Sequence, residues 1–164
     1  MSAALLVTDS GPLIALARLN LLGLPSQLFS ETLVTATVWL ELTRAAPPVE
    51  RQLLTAALSA GHLRAVDDPQ VLPPALAAAL LDAGEQSAIA LALQSGATLL
   101  VDEKRGRASA KGFGLNVLGT LGLLVRARDA RLVAAVRPLA TALQASGYFL
   151  SSSLVDHTLA AIGE

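Results

Sequence analysis

Short apolar runs alternate with helix-like segments along the whole sequence, and this alternation constrains the fold more than any other feature. Four runs are dominated by aliphatic and β-branched side chains and lie at 3–8, 32–35, 97–101 and 115–118, with a shorter extended piece at 63–66. The run at 3–8 shows little apolar–polar alternation, which is typical of parallel strands buried on both faces. Because strands that alternate with helices form parallel sheets, we predict an α/β fold of three layers, with a central mostly parallel sheet of four to five strands flanked by helices.

Helix caps and breakers set the predicted limits of the helices. Asp9 and Ser10 precede Pro12, so a helix is expected to start there and to end before Gly23 and Pro25. Thr120 is predicted to cap a later helix. Further helices are predicted at 37–44, 50–60, 73–81 and 86–94, over the basic stretch that ends at 111–112, at 120–128, and as a pair around Gly147.

Length and composition limit the class of protein. A chain of 164 residues suits one core, so we expect a single domain over 1–164. Hydrophobic residues make up 53% and charged residues 15%, which excludes intrinsic disorder, and the lack of cysteine excludes thiolate-ligated metal sites. The longest charge-free apolar stretch, 112–125, is shorter than the roughly 20 residues of a membrane span. No basic residue precedes the apolar run near the N-terminus, so we expect a cytoplasmic protein without membrane contact.

Charge is divided unevenly along the chain. Residues 1–103 carry four arginines and ten acids, whereas residues 104–137 carry eight basic residues against Asp129 alone. Two interpretations stay open for the basic segment. It forms solvated helix faces, or it forms a phosphate-binding edge beside an acidic pocket.

Four acids lie in apolar surroundings and are candidates for chemistry. Asp9 and Asp102 directly follow predicted strands, Glu41 lies within VWLELT, and Glu85 opens an apolar helix. In parallel sheets, ligands bind beyond the carboxyl ends of the strands. Carboxylates that converge there repel one another, and a hard divalent ion such as Mg²⁺ or Mn²⁺ relieves that repulsion.

Each acid also has a purely structural interpretation. Asp9 and Asp102 could cap helices, Glu85 could interact with a helix dipole, and Glu41 could point into solvent. Two neighbouring acids compete for the same roles. Asp82 is an alternative to Glu85, and Glu103 is an alternative to Asp102, although Glu103 is expected to face solvent.

Three segments resemble the motifs of PIN domains. The first PIN motif is an Asp at the end of the first strand, followed by a small hydroxyl residue, and VTDSGPLIALARL resembles it. The second motif supplies a Glu from a helix, and VWLEL resembles it. A third, longer stretch closely resembles a prokaryotic PIN-like subgroup akin to VapC-type toxins: DAGEQSAIALALQSGATLLVDEKRGRASAKGFGLNVLGTLGLL. The resemblance covers nearly the whole chain. Its specific part is the ordered combination of GE-x-x-AI-x-LA, LLVDE-x-x-GR-x-A and GLNVLGT.

The resemblance implies a PIN-like fold and a metal-dependent nuclease that acts on RNA. The acidic quartet of the family matches Asp9, Glu41, Glu85 and Asp102, and Ser10 matches the small hydroxyl residue. Many members of the VapC-type subgroup carry Asp at the third acidic position. Glu85 is one methylene longer, so the number of ions, one or two, stays open. The resemblance further implies a homodimer and a small DNA-binding antitoxin as a partner.

The implied reaction is hydrolysis of RNA phosphodiester bonds with Mg²⁺ or Mn²⁺. Asp9, Glu41 and Asp102 would hold the ions directly or through water, and Glu85 would bind metal or orient the attacking water. Four basic residues directly after Asp102 would hold the phosphate backbone, or would form a solvated helix face: Lys104, Arg105, Arg107 and Lys111. With five aromatic residues in the chain, extensive base stacking is not expected.

Other functions fit the sequence less well. His62 and His157 are the only histidines, and the sequence lacks G-x-S-x-G, the P-loop and G-x-G-x-x-G. A catalytically inactive PIN-like domain that binds RNA or a partner is the main alternative. A phosphoacceptor receiver domain is a second one, but neither lysine lies where that class needs it. The apolar residues at 148–150 and 154–155 are expected to pack on the sheet or to contact a second copy or an antitoxin.

Overall fold

The structure, a computed structural model, describes residues 4–164, so Ala3 of the predicted first strand lies outside the described residues. Within that range five strands form one parallel sheet in the order β3-β2-β1-β4-β5. The predicted α/β fold class is therefore confirmed. The strands are β1 (Leu5–Thr8), β2 (Glu31–Thr35), β3 (Arg64–Val66), β4 (Thr98–Leu100) and β5 (Val117–Leu118).

Helices connect the strands and cover both faces of the sheet. They are α1 (Ser10–Arg18), α2 (Pro25–Leu28), α3 (Ala36–Ala45), α4 (Pro48–Ser59), α5 (Pro74–Ala77), α6 (Ala83–Ser95), α7 (Lys104–Gly112), α8 (Thr120–Asp129), α9 (Arg137–Ala145) and α10 (Ser152–Ala161). Every helix of residues 4–164 is too short or too polar to cross a bilayer.

Several helix limits differ from the prediction, among them those of α5, α6 and α8. The helix predicted at 73–81 ends at Ala77. Asp82 takes an extended backbone and starts α6 at Ala83, earlier than predicted. Gly119 occupies the N-cap position of α8 that was predicted for Thr120, because the Thr120 hydroxyl donates to Asp102 instead.

Two apolar clusters hold the molecule together. The larger one surrounds the sheet, where Leu6 and Val7 of β1 and Leu100 of β4 are fully buried. The smaller one joins α1 and α8 to the C-terminal helices α9 and α10 through Leu124, Leu143 and their neighbours. The C-terminal helices therefore pack through a core of their own, beside the sheet.

The strand order places a topological switch point between β1 and β4. Successive strands run from β1 to β3 on one side of the sheet, and β4 then returns to the other side of β1. The backbone N–H of Asp9 donates to the Leu100 carbonyl (3.0 Å), which fixes the ends of both strands together. Crevices of this kind hold ligands in open α/β sheets, and Asp9 and Asp102 follow the two strands.

Candidate active site

Asp9 is buried at the carboxyl end of β1. Its exposure is 8%, and its carboxylate accepts a hydrogen bond from the Ser10 backbone N–H. It occupies the N-cap position of α1, but its side chain accepts no capping hydrogen bond. Asp9 is thus not a conventional helix cap. Ser10, the first residue of α1, lines a cavity of about 260 Å³ together with Glu41.

Asp102 lies at the end of β4 and bridges two other parts of the chain. Its Oδ1 accepts from the Thr120 backbone N–H (2.7 Å) and its Oδ2 from the Thr120 hydroxyl (2.5 Å). Asp102 does not cap the helix that follows it, since Glu103 does so by accepting from the Gly106 N–H (2.8 Å). The neighbouring acid Glu103 thus has a structural role of its own.

Glu41 is directed from the middle of α3 toward the N-terminus of α6. Its carboxylate accepts a hydrogen bond from the Gly84 backbone N–H. A Cβ at Gly84 would overlap the Glu41 Oε2 atom, so glycine is required for this approach. The apolar neighbours of Glu41 in the sequence gave the first sign that it turns inward.

Asp82 and Glu85 form a capping box at the start of α6. Asp82 Oδ1 accepts from the Glu85 N–H (2.7 Å), and Glu85 Oε2 accepts from the Asp82 N–H (3.1 Å). The second Glu85 oxygen, Oε1, lies 3.2 Å from where a Cβ on Gly106 would stand. Glu85 therefore caps α6 with one oxygen and turns the other toward the start of α7.

Tyr148 reaches the same edge from the loop between α9 and α10. Its hydroxyl donates to Asp102 Oδ2 (2.5 Å) and would lie 3.3 Å from a Cβ on Gly11. Burial, together with the Asp102 charge and hydrogen bond, raises the pKa of Tyr148 far above its usual range. The phenol is thus a proton donor throughout the physiological range. The sequence predicts an apolar packing role for Tyr148, and no local pattern indicates its contact with Asp102.

The acids influence one another electrostatically. Burial raises the pKa of Asp9 to about 6, and repulsion from Asp82, Glu41 and Asp102 contributes. Burial raises the pKa of Glu85 to about 7, with further repulsion from Asp82, Asp9 and Glu103. The pKa of Glu41 is also raised, by burial and by Asp82. Protons are therefore held here near neutral pH, and a cation would compete with them.

The carboxylate groups at this edge of the sheet are suitable ligands for a hard divalent ion. Carboxylate oxygens are the ligands that Mg²⁺ and Mn²⁺ prefer, and the mutual repulsion of Asp9, Glu41 and Asp82 would be relieved by positive charge. Within residues 4–164, however, no three acidic or histidine side chains stand close enough to enclose an ion by themselves. The arrangement suits an ion that keeps several water ligands, as Mg²⁺ does.

Three of the four basic candidates lie along one groove. A groove of about 840 Å³ opens beside Asp102, and Lys104, Arg107 and Lys111 line it. Arg105 does not line it and donates instead to the Leu80 carbonyl (2.8 Å). The spacing i, i+3, i+7 already assigns the three to one helix face and Arg105 to another.

Comparisons with known proteins agree with this architecture. The family model DUF3368, described as a PIN domain, matches residues 5–164. Among curated proteins no sequence matches. A similar fold occurs in a PilT N-terminus domain protein, SSO1118, from the hyperthermophilic archaeon Sulfolobus solfataricus P2, with a TM-score of 0.59 and 18% identity. The alignment covers 74% of this chain and 92% of the archaeal one, and at that identity it supports the fold alone.

Proposed function

Because this chain belongs to the PIN-domain family, whose fold is of the nuclease type, we propose that it is a metal-dependent ribonuclease that hydrolyses RNA phosphodiester bonds. The observation that carries the proposal is the grouping of Asp9, Glu41, Glu85 and Asp102 around the carboxyl ends of β1 and β4, with mutual repulsion that calls for a cation. Mg²⁺ or Mn²⁺, as one ion or two, would activate water and stabilise charge on the phosphate.

Three of the acids would hold the ion in different ways. Asp9 and Glu41 would hold the ion, directly or through water. Asp102 would have one lone-pair site left on Oδ1, because a carboxylate offers about four and three are occupied by Thr120 and Tyr148. Asp102 would therefore contribute a single, tightly oriented oxygen.

Glu85 is the candidate general base. With Oε2 held by the Asp82 N–H, Oε1 remains free to accept a proton from the attacking water. Burial and neighbouring acids raise the pKa of Glu85 to about 7 in the metal-free chain, and a bound cation would lower it, so the role of base rests on the free Oε1 atom. Ser10 would contribute its backbone N–H to the orientation of Asp9. Lys104, Arg107 and Lys111 would hold the RNA backbone.

Cleavage of a panel of structured and unstructured RNAs, with Mg²⁺, with Mn²⁺ and with chelator, tests the proposal. Metal-dependent cleavage by the wild type that Asp9→Asn abolishes is the expected result. Metal-dependent RNA binding with no cleavage by the wild type would favour the alternative, a catalytically inactive PIN-like domain.

The proposal extends to a biological setting through the sequence resemblance to VapC-type toxins. In that setting the chain is the cytoplasmic toxin of a toxin–antitoxin pair, forms a homodimer and is neutralised by a small DNA-binding antitoxin. Induced expression should then arrest growth, and Asp9→Asn should not. Equal toxicity of both chains would contradict the toxin assignment.

A further inference from the structure

The groove beside Asp102 has two walls of different chemistry. One wall is the face of α7 that carries Lys104, Arg107 and Lys111. A second wall is apolar and comes from the C-terminal segment, with Phe149, Leu150 and Leu154. Phe149 is 87% exposed, more than any other large hydrophobic residue among residues 4–164.

The cations are free to bind a ligand. Neither Lys104 nor Lys111 forms an ion pair with any carboxylate in the described part of the chain. Arg107 donates to the Val101 carbonyl (3.2 Å) and has no ion pair there either. A row of unpaired cations on one helix face favours a ligand with several negative charges in a line.

Two glycines, Gly119 and Gly122, line the groove close to other side chains. A Cβ at Gly119 would stand 2.5 Å from an Arg107 guanidinium nitrogen and 3.1 Å from Asp102 Oδ1. A Cβ at Gly122 would stand 2.8 Å from Leu118 Cδ1. Glycine at these two positions leaves room for the Arg107 guanidinium and the Leu118 side chain, which occupy the space a Cβ would take.

We infer that this groove binds a single-stranded stretch of RNA next to the scissile phosphate, with phosphates on the α7 cations and one base stacked on Phe149. A charged track beside an aromatic side chain is the arrangement by which proteins hold single strands. A base in a duplex is already stacked and paired, so Phe149 selects unpaired nucleotides. With one aromatic in the groove, the stack reads one base position and discriminates weakly by sequence.

This inference rests on the proposed function for its substrate class, but its test needs no cleavage. Binding is measured with a fluorescein-labelled oligouridine and a blunt RNA duplex, using the Asp9→Asn chain in chelator. Phe149→Ala and Phe149→Leu should each weaken single-strand binding by about 5- to 150-fold, the value of one base stack, and should leave duplex binding unchanged. Phe149→Trp should retain affinity and show tryptophan quenching on binding.

Controls separate stacking from general apolar contact and from charge. Val49→Ala, at another exposed apolar side chain, should bind as the parent does. Lys111→Gln should lower the salt dependence of log K by about 0.7. Full affinity in Phe149→Leu would overturn the inference. Loss of self-association with unchanged RNA binding would also overturn it, because the apolar wall would then serve a second copy of the chain.

The two proposals fail separately. RNA binding that depends on Phe149, without cleavage by the wild type, would leave the groove assignment in place and remove the nuclease assignment. Metal-dependent cleavage with no effect of Phe149→Ala or Phe149→Leu on binding would support the nuclease assignment and remove the groove assignment.

Discussion

The Tyr148 hydroxyl lies 2.5 Å from Asp102 Oδ2, so a residue from the C-terminal helices completes the environment of an acid at the end of β4. These two residues are 46 positions apart in the sequence. The smaller apolar cluster, which joins α9 and α10 to α1 and α8, sets the distance between them. Orientation of Asp102 therefore depends on packing outside the sheet.

Tyr148→Phe should lower cleavage more than it lowers stability. Loss of the hydrogen bond lets Asp102 rotate, and changes of this kind beside metal ligands reduce activity or metal affinity by about 10- to 100-fold. The free energy of unfolding should fall by only about 1 kcal/mol. Single-turnover cleavage and urea unfolding measure the two effects. A wild-type cleavage rate in Tyr148→Phe would show that the contact does not orient Asp102 for the reaction.

Asp9→Asn should stabilise the metal-free protein at alkaline pH. Burial raises the pKa of folded Asp9 from 3.8 to about 6, so the folded state binds this proton more tightly than the unfolded chain does. The stability that this proton contributes is present in full below pH 3.8 and is lost as pH rises through about 6. At pH 8 the free energy of unfolding of the variant should exceed that of the wild type by about 3 kcal/mol, since one pKa unit corresponds to about 1.4 kcal/mol.

Urea unfolding of both chains in chelator, from pH 4 to pH 8, measures this difference. Asp156→Asn replaces an exposed carboxylate in α10 and serves as the control, with no comparable gain expected. Parallel pH profiles of wild type and Asp9→Asn would contradict the raised pKa of buried Asp9. Saturating Mn²⁺ should reduce the difference in free energy of unfolding between the two chains, because it stabilises the wild type.

Glu85→Gln should separate catalysis from helix capping. Glutamine can still accept the hydrogen bond from the Asp82 N–H, so the capping box and the unfolding free energy should be nearly retained. It cannot take a proton from water, and cleavage should fall by about 100- to 10,000-fold. Asp82→Asn keeps the N-cap acceptor and should reduce cleavage far less. If Asp82→Asn proves the more damaging change, Asp82 holds the third acidic role.

Gly84→Ala should disable the site through Glu41. The added Cβ would overlap Glu41 Oε2, so Glu41 must leave its hydrogen bond to the Gly84 N–H. Cleavage and Mn²⁺ affinity should both drop. Gly112→Ala is the matched control, because nothing lies within 4 Å of a Cβ there. It should leave the free energy of unfolding unchanged or raise it by up to about 1 kcal/mol. Equal behaviour of the two variants would argue against the proposed role of Glu41.

The sheet and its acidic edge could be predicted because both follow from short-range patterns. Apolar runs that end in Asp9 and Asp102 mark two strand ends, and the parallel topology brings them together. The cap of α8 could not be predicted from the local sequence, because the Thr120 hydroxyl donates to Asp102, 18 positions earlier in the chain. Tyr148 was hidden for the same reason, since only tertiary packing carries its side chain to Asp102.

Mn²⁺ binding and RNA cleavage should be measured on the same samples of wild type and Asp9→Asn. Electron paramagnetic resonance would follow Mn²⁺ bound to wild type and to Asp9→Asn, and single-turnover assays would follow cleavage of a labelled single-stranded RNA. We predict that the wild type binds Mn²⁺ and cleaves, and that Asp9→Asn loses both properties while remaining folded. Cleavage that persists in chelator, or in Asp9→Asn, would contradict a metal-dependent ribonuclease centred on this acidic edge.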